Sequence, residues 1–327
     1  MKTALVTGGT GFVGSHLAAY LLKKEISVRC LVRQTSNHRW LDGLDVEISS
    51  GDLSDEASLN RAVSHVDAVF HLAGETSSFS EEVYYQSNVV GTVKLLKAII
   101  QVNPQIKRFV YVSSLAAAGP SLTLKPNTEA DPAHPVSPYG ASKLAAEEAV
   151  LAFASQIPVT VIRPPVVYGP RDPNFLEYIR IVNHGIRPFV GWQDRYTSFI
   201  YIDDLVRGIE LAAQSEKASG QVYYLVSESR ISWREMGRIV ANQLQKASIF
   251  IPIPFSVVWL MVLGREMIDR VKKQPSFANL QKLREFRQHF WICDGHKAKQ
   301  ELGFKPQMTL SDGLDKTIAW YRQEGWL

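Results

Sequence analysis

The 327-residue sequence predicts an α/β fold: a doubly wound parallel sheet with a smaller, interleaved C-terminal lobe. Three observations carry that prediction. Short apolar runs alternate with helical patterns as far as Arg163. The first run passes through a glycine-rich turn straight into a helix. Beyond Gly169 the rhythm breaks into shorter elements punctuated by Pro170, Pro173, Pro188, Pro252 and Pro254.

Taken in order, Lys2–Thr7 reads as a buried strand, and Ser15–Lys24 as a helix with Leu17, Ala18, Leu21 and Leu22 on one face. Further strands are expected at Ser27–Val32, Asp45–Ser49, Asp67–Ala73, Arg108–Ser113 and Val159–Arg163. Helices are expected at Asp55–Ser64, Val83–Val102 and Tyr139–Phe153. Such alternation implies right-handed β-α-β crossovers and hence a Rossmann-type sheet. Phe199–Leu205 and a helix to Ala213 are expected to return to it. The division is then 1–172 for a dinucleotide-binding domain, with 197–218 returning to it, and 173–196 plus 219–327 for a substrate-binding lobe.

Composition narrows the function. With 46% hydrophobic and 21% charged residues the chain is an ordinary globule. A net charge of +4 with dispersed basic residues gives no nucleic-acid signature. Cys30 and Cys293 form no paired framework and no metal-ligand spacing, which fits a reducing cytoplasm, and no metal site is expected. Met1 leads directly into the first strand, leaving no room for a signal peptide.

Two patterns carry chemistry. In Gly8-Gly9-Thr10-Gly11-Phe12-Val13-Gly14, a strand–turn–helix unit aims backbone N–H groups and a helix N-terminus at an anion. Gly8 suits the tight turn, Gly11 close approach of a pyrophosphate, and Gly14 close helix–strand packing. In Tyr139-Gly140-Ala141-Ser142-Lys143, a phenol and an ammonium four residues apart share a helical face. A tyrosine titrates at about pH 10, too high for a base near neutrality, and a nearby ammonium is expected to lower it. Together the patterns point to hydride and proton exchange at a C–OH/C=O centre with a nicotinamide cofactor and a small-molecule substrate.

Over nearly its whole length the chain resembles the extended short-chain dehydrogenase/reductases. Thr7–Gly14 resembles their cofactor loop, including Gly8, Thr10, Gly11, Phe12, Val13 and Gly14. Gly51-Asp52-Leu53 resembles their adenine contact, and Leu72-Ala73-Gly74 after His71 the turn behind the adenosine ribose. Asn88-Val89-Val90-Gly91-Thr92 is similar to the helix carrying a structural Asn, and Asp203-Asp204-Leu205 to a returning helix start. The segment from Arg163 through Pro164 and Val166 to Pro170 resembles the stretch beside the nicotinamide. The resemblance implies Ser114, Tyr139 and Lys143 as the catalytic group. Ser114 is preferred to Ser113 on its spacing to Gly119, and Tyr139 and Lys143 also contact the cofactor.

Where a ribose-binding carboxylate would end the second strand stands Val32, followed by Arg33, with Ser36 and Arg39 beyond. A guanidinium there suits a 2′-phosphate, so NADP is expected ahead of NAD. In sugar-nucleotide enzymes of the family the positions of Thr197 and Val166 hold diphosphate-binding groups, and Arg195 is a candidate substitute. Other features resemble the hydroxysteroid dehydrogenase and dihydroflavonol reductase branch, implying a reductase or dehydrogenase for an apolar substrate. Phe175, Phe189, Trp192, Phe199, Phe255 and Trp259 are candidates to line its cavity, although core packing is the commoner role. The alternatives are a nucleotide-sugar epimerase or dehydratase that retains NAD, and a non-catalytic cofactor-binding sensor or structural subunit. Ile249–Leu263, too short for the about 20 residues of a spanning helix, is expected to be a buried connection and helix packing the lobe. A membrane-surface contact or a substrate lid is its alternative, with Arg265, Arg270, Lys272 and Lys273 following it. A homodimer is compatible with the sequence.

Overall fold

The computed structural model describes residues 1–272 and 279–327, so that Lys273 lies outside the described residues. Strands in chain order are β1 (Thr3–Thr7), β2 (Ser27–Val32), β3 (Val46–Ser50), β4 (Ala68–His71), β5 (Arg108–Val112), β6 (Val159–Arg163), β7 (Val166–Tyr168), β8 (Ile186–Val190), β9 (Tyr196–Tyr201) and β10 (Gln221–Tyr224). Seven of them form a parallel sheet in the order β10-β6-β5-β4-β1-β2-β3, the doubly wound Rossmann-type sheet that the alternation predicts.

Successive side chains of a strand point to opposite faces, and here both faces are apolar. Val6, Phe70, Val110 and Ile162 join one core with Leu17 and Leu21 of α1 (Phe12–Lys23). Leu5, Val69, Phe109 and Val161 join the other, against Leu59 of α2 (Glu56–Val63). The expected helix Val83–Val102 is divided into α3 (Glu81–Tyr85), a π turn at Gln86–Val90 and α4 (Gly91–Val102). The π turn carries Asn88, whose side chain is tied elsewhere, and such bulges often mark functional sites. One short helix, α5 (Leu115–Ala118), and one long one, α6 (Pro138–Ala152), complete this half.

The C-terminal part departs from expectation in three places. The strand read at Phe199–Leu205 is Tyr196–Tyr201, and it belongs to a small separate sheet with β7, β11 (Glu228–Ser232) and β13 (Phe290–Trp291). Pairing of Tyr196 and Thr197 with those strands pulls the start of β9 forward. After α7 (Pro173–Asn183) and β9, α8 (Ile202–Gln214) packs back against α1, and β10 extends the large sheet beyond residue 218. Secondly, Phe175, Phe189 and Phe199 are buried against Tyr168, Tyr178, Trp233 and Phe250, whereas Trp192 and Trp259 are exposed. Most of the proposed aromatic lining is therefore core or surface.

The third departure concerns Ile249–Leu263. It forms β12 (Ile249–Ile253), paired in parallel with β8, and the start of α10 (Phe255–Lys272), which follows α9 (Trp233–Gln243) in the chain. Ile249, Val257, Trp259, Leu260 and Met261 are all exposed, so the segment is not a buried connection. The remaining helices are α11 (Leu283–Phe286), α12 (His296–Leu302) and α13 (Leu310–Gln323).

Asp172 caps α7 by accepting from the Asn174 N–H at 2.9 Å. Its carboxyl is buried, and burial raises its pKa to about 6. An unfolded aspartate releases its proton at about pH 3.9, so between these values the folded chain binds more protons and loses stability as pH rises. Asn caps as well as Asp and lacks that charge. We expect Asp172→Asn to match the parent near pH 4 and to exceed it by up to about 3 kcal/mol above pH 6 in urea melts. No gap above pH 6 would contradict the assignment.

Candidate active site

At the end of β1 the chain turns through Gly8, at φ +74°, and the Gly8 carbonyl accepts from Gly11 N–H at 3.0 Å. A side chain on Gly8 would put Cβ 2.8 Å from the Ala73 nitrogen, and one on Gly14 would put it 2.1 Å from the Gly8 carbonyl oxygen. Both must therefore be glycine for α1 to start this close to the sheet. Gly11 caps α1 without a side chain, which leaves the first helical N–H groups available to an anion.

This turn forms one wall of a cleft of about 1150 Å³. The predicted cofactor residues Gly8, Thr10, Gly11, Phe12, Val13, Gly14, Arg33, Asp52, Leu53, Leu72, Ala73 and Gly74 all line it. Hydrogen bonds from the Ser54 side chain and backbone hold Asp52 below the usual carboxylate range, with Arg33 and Lys94 adding to the effect. At the end of β2, Val32 is buried and Arg33 exposed. Two further guanidinium groups gather there. Arg39 stacks on Trp40 at 3.7 Å, and Arg171 lies 4.9 Å from the same ring and donates to Ser15 Oγ at 3.1 Å. Among the described residues, no carboxylate lies within ion-pair distance of Arg33, Arg39 or Arg171.

The other predicted residues, Ser114, Tyr139, Lys143, Pro164 and Val166, do not line that cleft. Ser114 and Pro164 follow β5 and β6, Lys143 reaches β5 from the helix that carries Tyr139, and Val166 starts β7, paired with β9. Ser113 N–H donates to Ile162 O at 2.7 Å and Leu115 N–H to Pro164 O at 2.8 Å, which binds the exit of β5 to that of β6. Ser114 Oγ caps α5 by accepting from Ala116 N–H at 3.1 Å, and Ser114 lies close enough to the Tyr139 phenol to lower its pKa. Ser137 caps α6 by accepting from Gly140 N–H at 3.0 Å, and Pro138 occupies the first turn, which fixes where Tyr139 and Lys143 begin their shared face. Tyr139 keeps part of its surface open, but protein crowds its hydroxyl. Burial pushes the phenol above its usual value, and the neighbouring Ser114 opposes this. Lys143 does not deliver the expected lowering. Its Nζ donates to Val112 O at 2.8 Å and sits 4.2 Å from the Tyr111 ring, and burial drives its own pKa down to about 7.

Supporting polar groups fix this geometry. Asn88 Nδ2 donates to Ser142 Oγ at 2.9 Å, while its Oδ1 accepts from Glu75 N–H at 2.7 Å, joining α6 to the loop after β4. His71 is buried between Thr7 Oγ1 at 2.7 Å and Thr92 Oγ1 at 2.8 Å, and burial lowers its pKa to about 3. It is thus a neutral tether rather than a proton carrier. Glu147 holds Arg163 at 2.6 Å in a buried, two-oxygen pair that docks α6 on β6. Sequence reasoning missed Lys282, 4.5 Å from the Tyr139 ring and paired with Glu285 at 2.8 Å. Glu285 also accepts from Ser137 Oγ, and nothing in local spacing signals a contact across 148 residues of chain.

Residues 4–225 match the NAD dependent epimerase/dehydratase family. The chain belongs to that family. It is 31% identical to a UDP-glucose 4-epimerase of Vibrio cholerae over 98% of this chain and 96% of the relative. It is 26% identical to the decarboxylating sterol-4-alpha-carboxylate 3-dehydrogenase of Homo sapiens, over 98% and 88%. A dTDP-glucose 4,6-dehydratase from Streptomyces venezuelae, solved with NAD, superposes at a TM-score of 0.79 with 27% identity, over 99% of this chain and 98% of that one. The protein is thus an enzyme of the extended short-chain dehydrogenase/reductase type. The glycine cradle, free helix N-terminus and cleft volume fit a nicotinamide dinucleotide.

Gly14→Ala forces its methyl group into the Gly8 carbonyl. We expect a loss of about 1–3 kcal/mol in stability from overpacking and no rise in melting temperature on adding NAD or NADP. A normal cofactor-induced rise would show that the turn does not hold the pyrophosphate.

Proposed function

We propose that the enzyme exchanges hydride between NADP(H) and a C–OH/C=O centre of a small apolar substrate in the cytoplasm. The observation that carries this reading is the placing of the Tyr139 hydroxyl beside Ser114 at the strand ends next to the glycine-walled cleft. When bound, the dinucleotide supplies hydride exchange at its nicotinamide. Ser114 orients the substrate oxygen, Tyr139 gives or takes its proton, and Lys143 braces the cofactor side. Because burial holds the Tyr139 proton firmly, the phenol is protonated at neutral pH and suits carbonyl reduction. Juxtaposed Ser114 and Tyr139 speak against a non-catalytic sensor.

Arg195 bears on substrate class. Its guanidinium donates to Val190 O at 3.0 Å, Phe286 O at 2.6 Å and Gln288 O at 2.7 Å, so it is committed to backbone. Thr197 is buried and accepts from Trp233 Nε1 at 3.1 Å. A diphosphate buried without cations is very costly, which favours an apolar substrate such as the sterol of the human relative. The Vibrio cholerae relative favours a second reading, an epimerase retaining NAD. A thermal-shift panel on the cofactor complex separates them: apolar ketones should stabilise and UDP- or dTDP-sugars should not. Stabilisation by a nucleotide sugar alone makes the second reading correct.

Tyr139→Phe should cut ketone reduction more than tenfold, over about 1.4 kcal/mol, with cofactor affinity unchanged. Alcohol oxidation should rise with pH and not level off by about pH 10, because burial holds the phenol above its usual value; a flat oxidation profile would contradict the role. Arg33, Arg39 and Arg171 favour a 2′-phosphate, so NADP(H) should bind more tightly than NAD(H), and Arg33→Ala should narrow the difference by about 1.5–3 kcal/mol. Calorimetry showing equal affinities in the parent would refute it.

A further inference from the structure

Helix α10 is amphipathic in the reverse sense for a surface helix. Val257, Leu260, Met261, Ile268 and Val271 recur at helical spacing along its outer side, with Leu260 60%, Met261 63% and Val271 85% exposed. Its inner side carries Val262, Glu266 and Asp269, and the two carboxylates are only 5% exposed. Glu266 accepts from Leu280 N–H at 2.8 Å and from Arg270, which lies 5.0 Å from the Phe79 ring. The helix is therefore docked through its polar side. Its apolar stripe faces away from the chain, so it cannot serve as a lid over this chain's own cleft.

Charge decides what covers the stripe. Glu266 and Asp269 are the acidic residues of α10, and both are turned inward. Arg265 and Arg270 pair with Asp269 and Glu266 but keep 63% and 59% of their side chains exposed, and Lys272 is exposed, so the helix presents cationic groups beside the stripe and no exposed carboxylate. A second copy pairing through this stripe about a two-fold axis would bring two identical sets of cationic groups together, with no exposed carboxylate of α10 to meet them. An anionic headgroup layer instead complements them while the stripe enters the acyl boundary. Tryptophan favours that boundary, and Trp192, 71% exposed, lies beside the helix start. Trp192 adjoins the helix start because Gly191 N–H donates to Ile253 O at 2.8 Å. No described helix is long and apolar enough to cross a membrane.

We propose that α10, with Trp192, is an interfacial anchor that rests the enzyme on the surface of an anionic bilayer. The anchor does not depend on which substrate the site takes. The test is flotation of the full chain with vesicles of phosphatidylcholine alone or with about a third phosphatidylglycerol. The chain should float with the anionic vesicles, and Met261→Asp with Ile268→Asp should reduce bound protein at least about tenfold. That double variant should retain its NADP-induced rise in melting temperature, which reports that it is folded. Should it fail to fold, quenching by brominated lipid decides: wild-type fluorescence should fall on anionic vesicles and fall less in Trp192→Phe. No flotation of the wild type, undiminished flotation of a folded double variant, or quenching unaffected by Trp192→Phe overturns the proposal. So does a solution dimer that the double variant abolishes while vesicles bind neither form.

Discussion

Helices cover the large sheet on both faces, because Val6 and Phe70 seek one core while Leu5 and Val69 seek the other. What stays open is the edge where parallel strands end, and ligands of such sheets bind at that edge. β1 ends in the glycine turn, β4 in Leu72–Gly74, β5 in Ser113–Ser114 and β6 in Pro164. A buried polar lattice keeps those ends in register: Thr7–His71–Thr92 beneath the turn, and Glu75–Asn88–Ser142 between the β4 loop and α6. Each member has a hydrogen-bond partner, as buried polar groups require.

Electrostatics then divides the site. The far end of the cleft is cationic, with Arg33, Arg39 and Arg171 around Trp40. The reacting end is governed by dehydration. Burial raises Tyr139 and lowers Lys143 to about 7, and both shifts favour the neutral form. The buried Glu147–Arg163 pair one turn beyond Lys143 holds α6 against β6, and removing one partner of such a pair commonly costs about 3–5 kcal/mol. The catalytic helix is therefore fixed by charges that take no part in the reaction.

The nucleotide half was legible because its signals are local. Leu17 and Leu21 mark α1, and the strand at Val159–Arg163 matches its reading residue for residue. The π turn at Gln86–Val90 was not, since the helical pattern runs through it unbroken. Less still was legible in the second half. Arg195 reads as a free cation until Val190, Phe286 and Gln288 turn their carbonyls to it, and Lys282 reaches Tyr139 from far along the chain. Apolar residues in Ile249–Leu263 pointed to burial, yet the carboxylates of α10 take the inner side through ion pairs and a backbone N–H. Periodicity gives a face but not which way the face turns.

Net hydride transfer to an apolar carbonyl is the central claim, and isotope tracing tests it directly. The enzyme is incubated with NADPH deuterated at the reactive carbon and a planar apolar ketone, and the product alcohol is weighed by mass spectrometry. The account requires deuterium on the former carbonyl carbon, with one NADPH consumed per alcohol formed. A product without deuterium, or turnover of a nucleotide sugar with no net loss of cofactor, would contradict it.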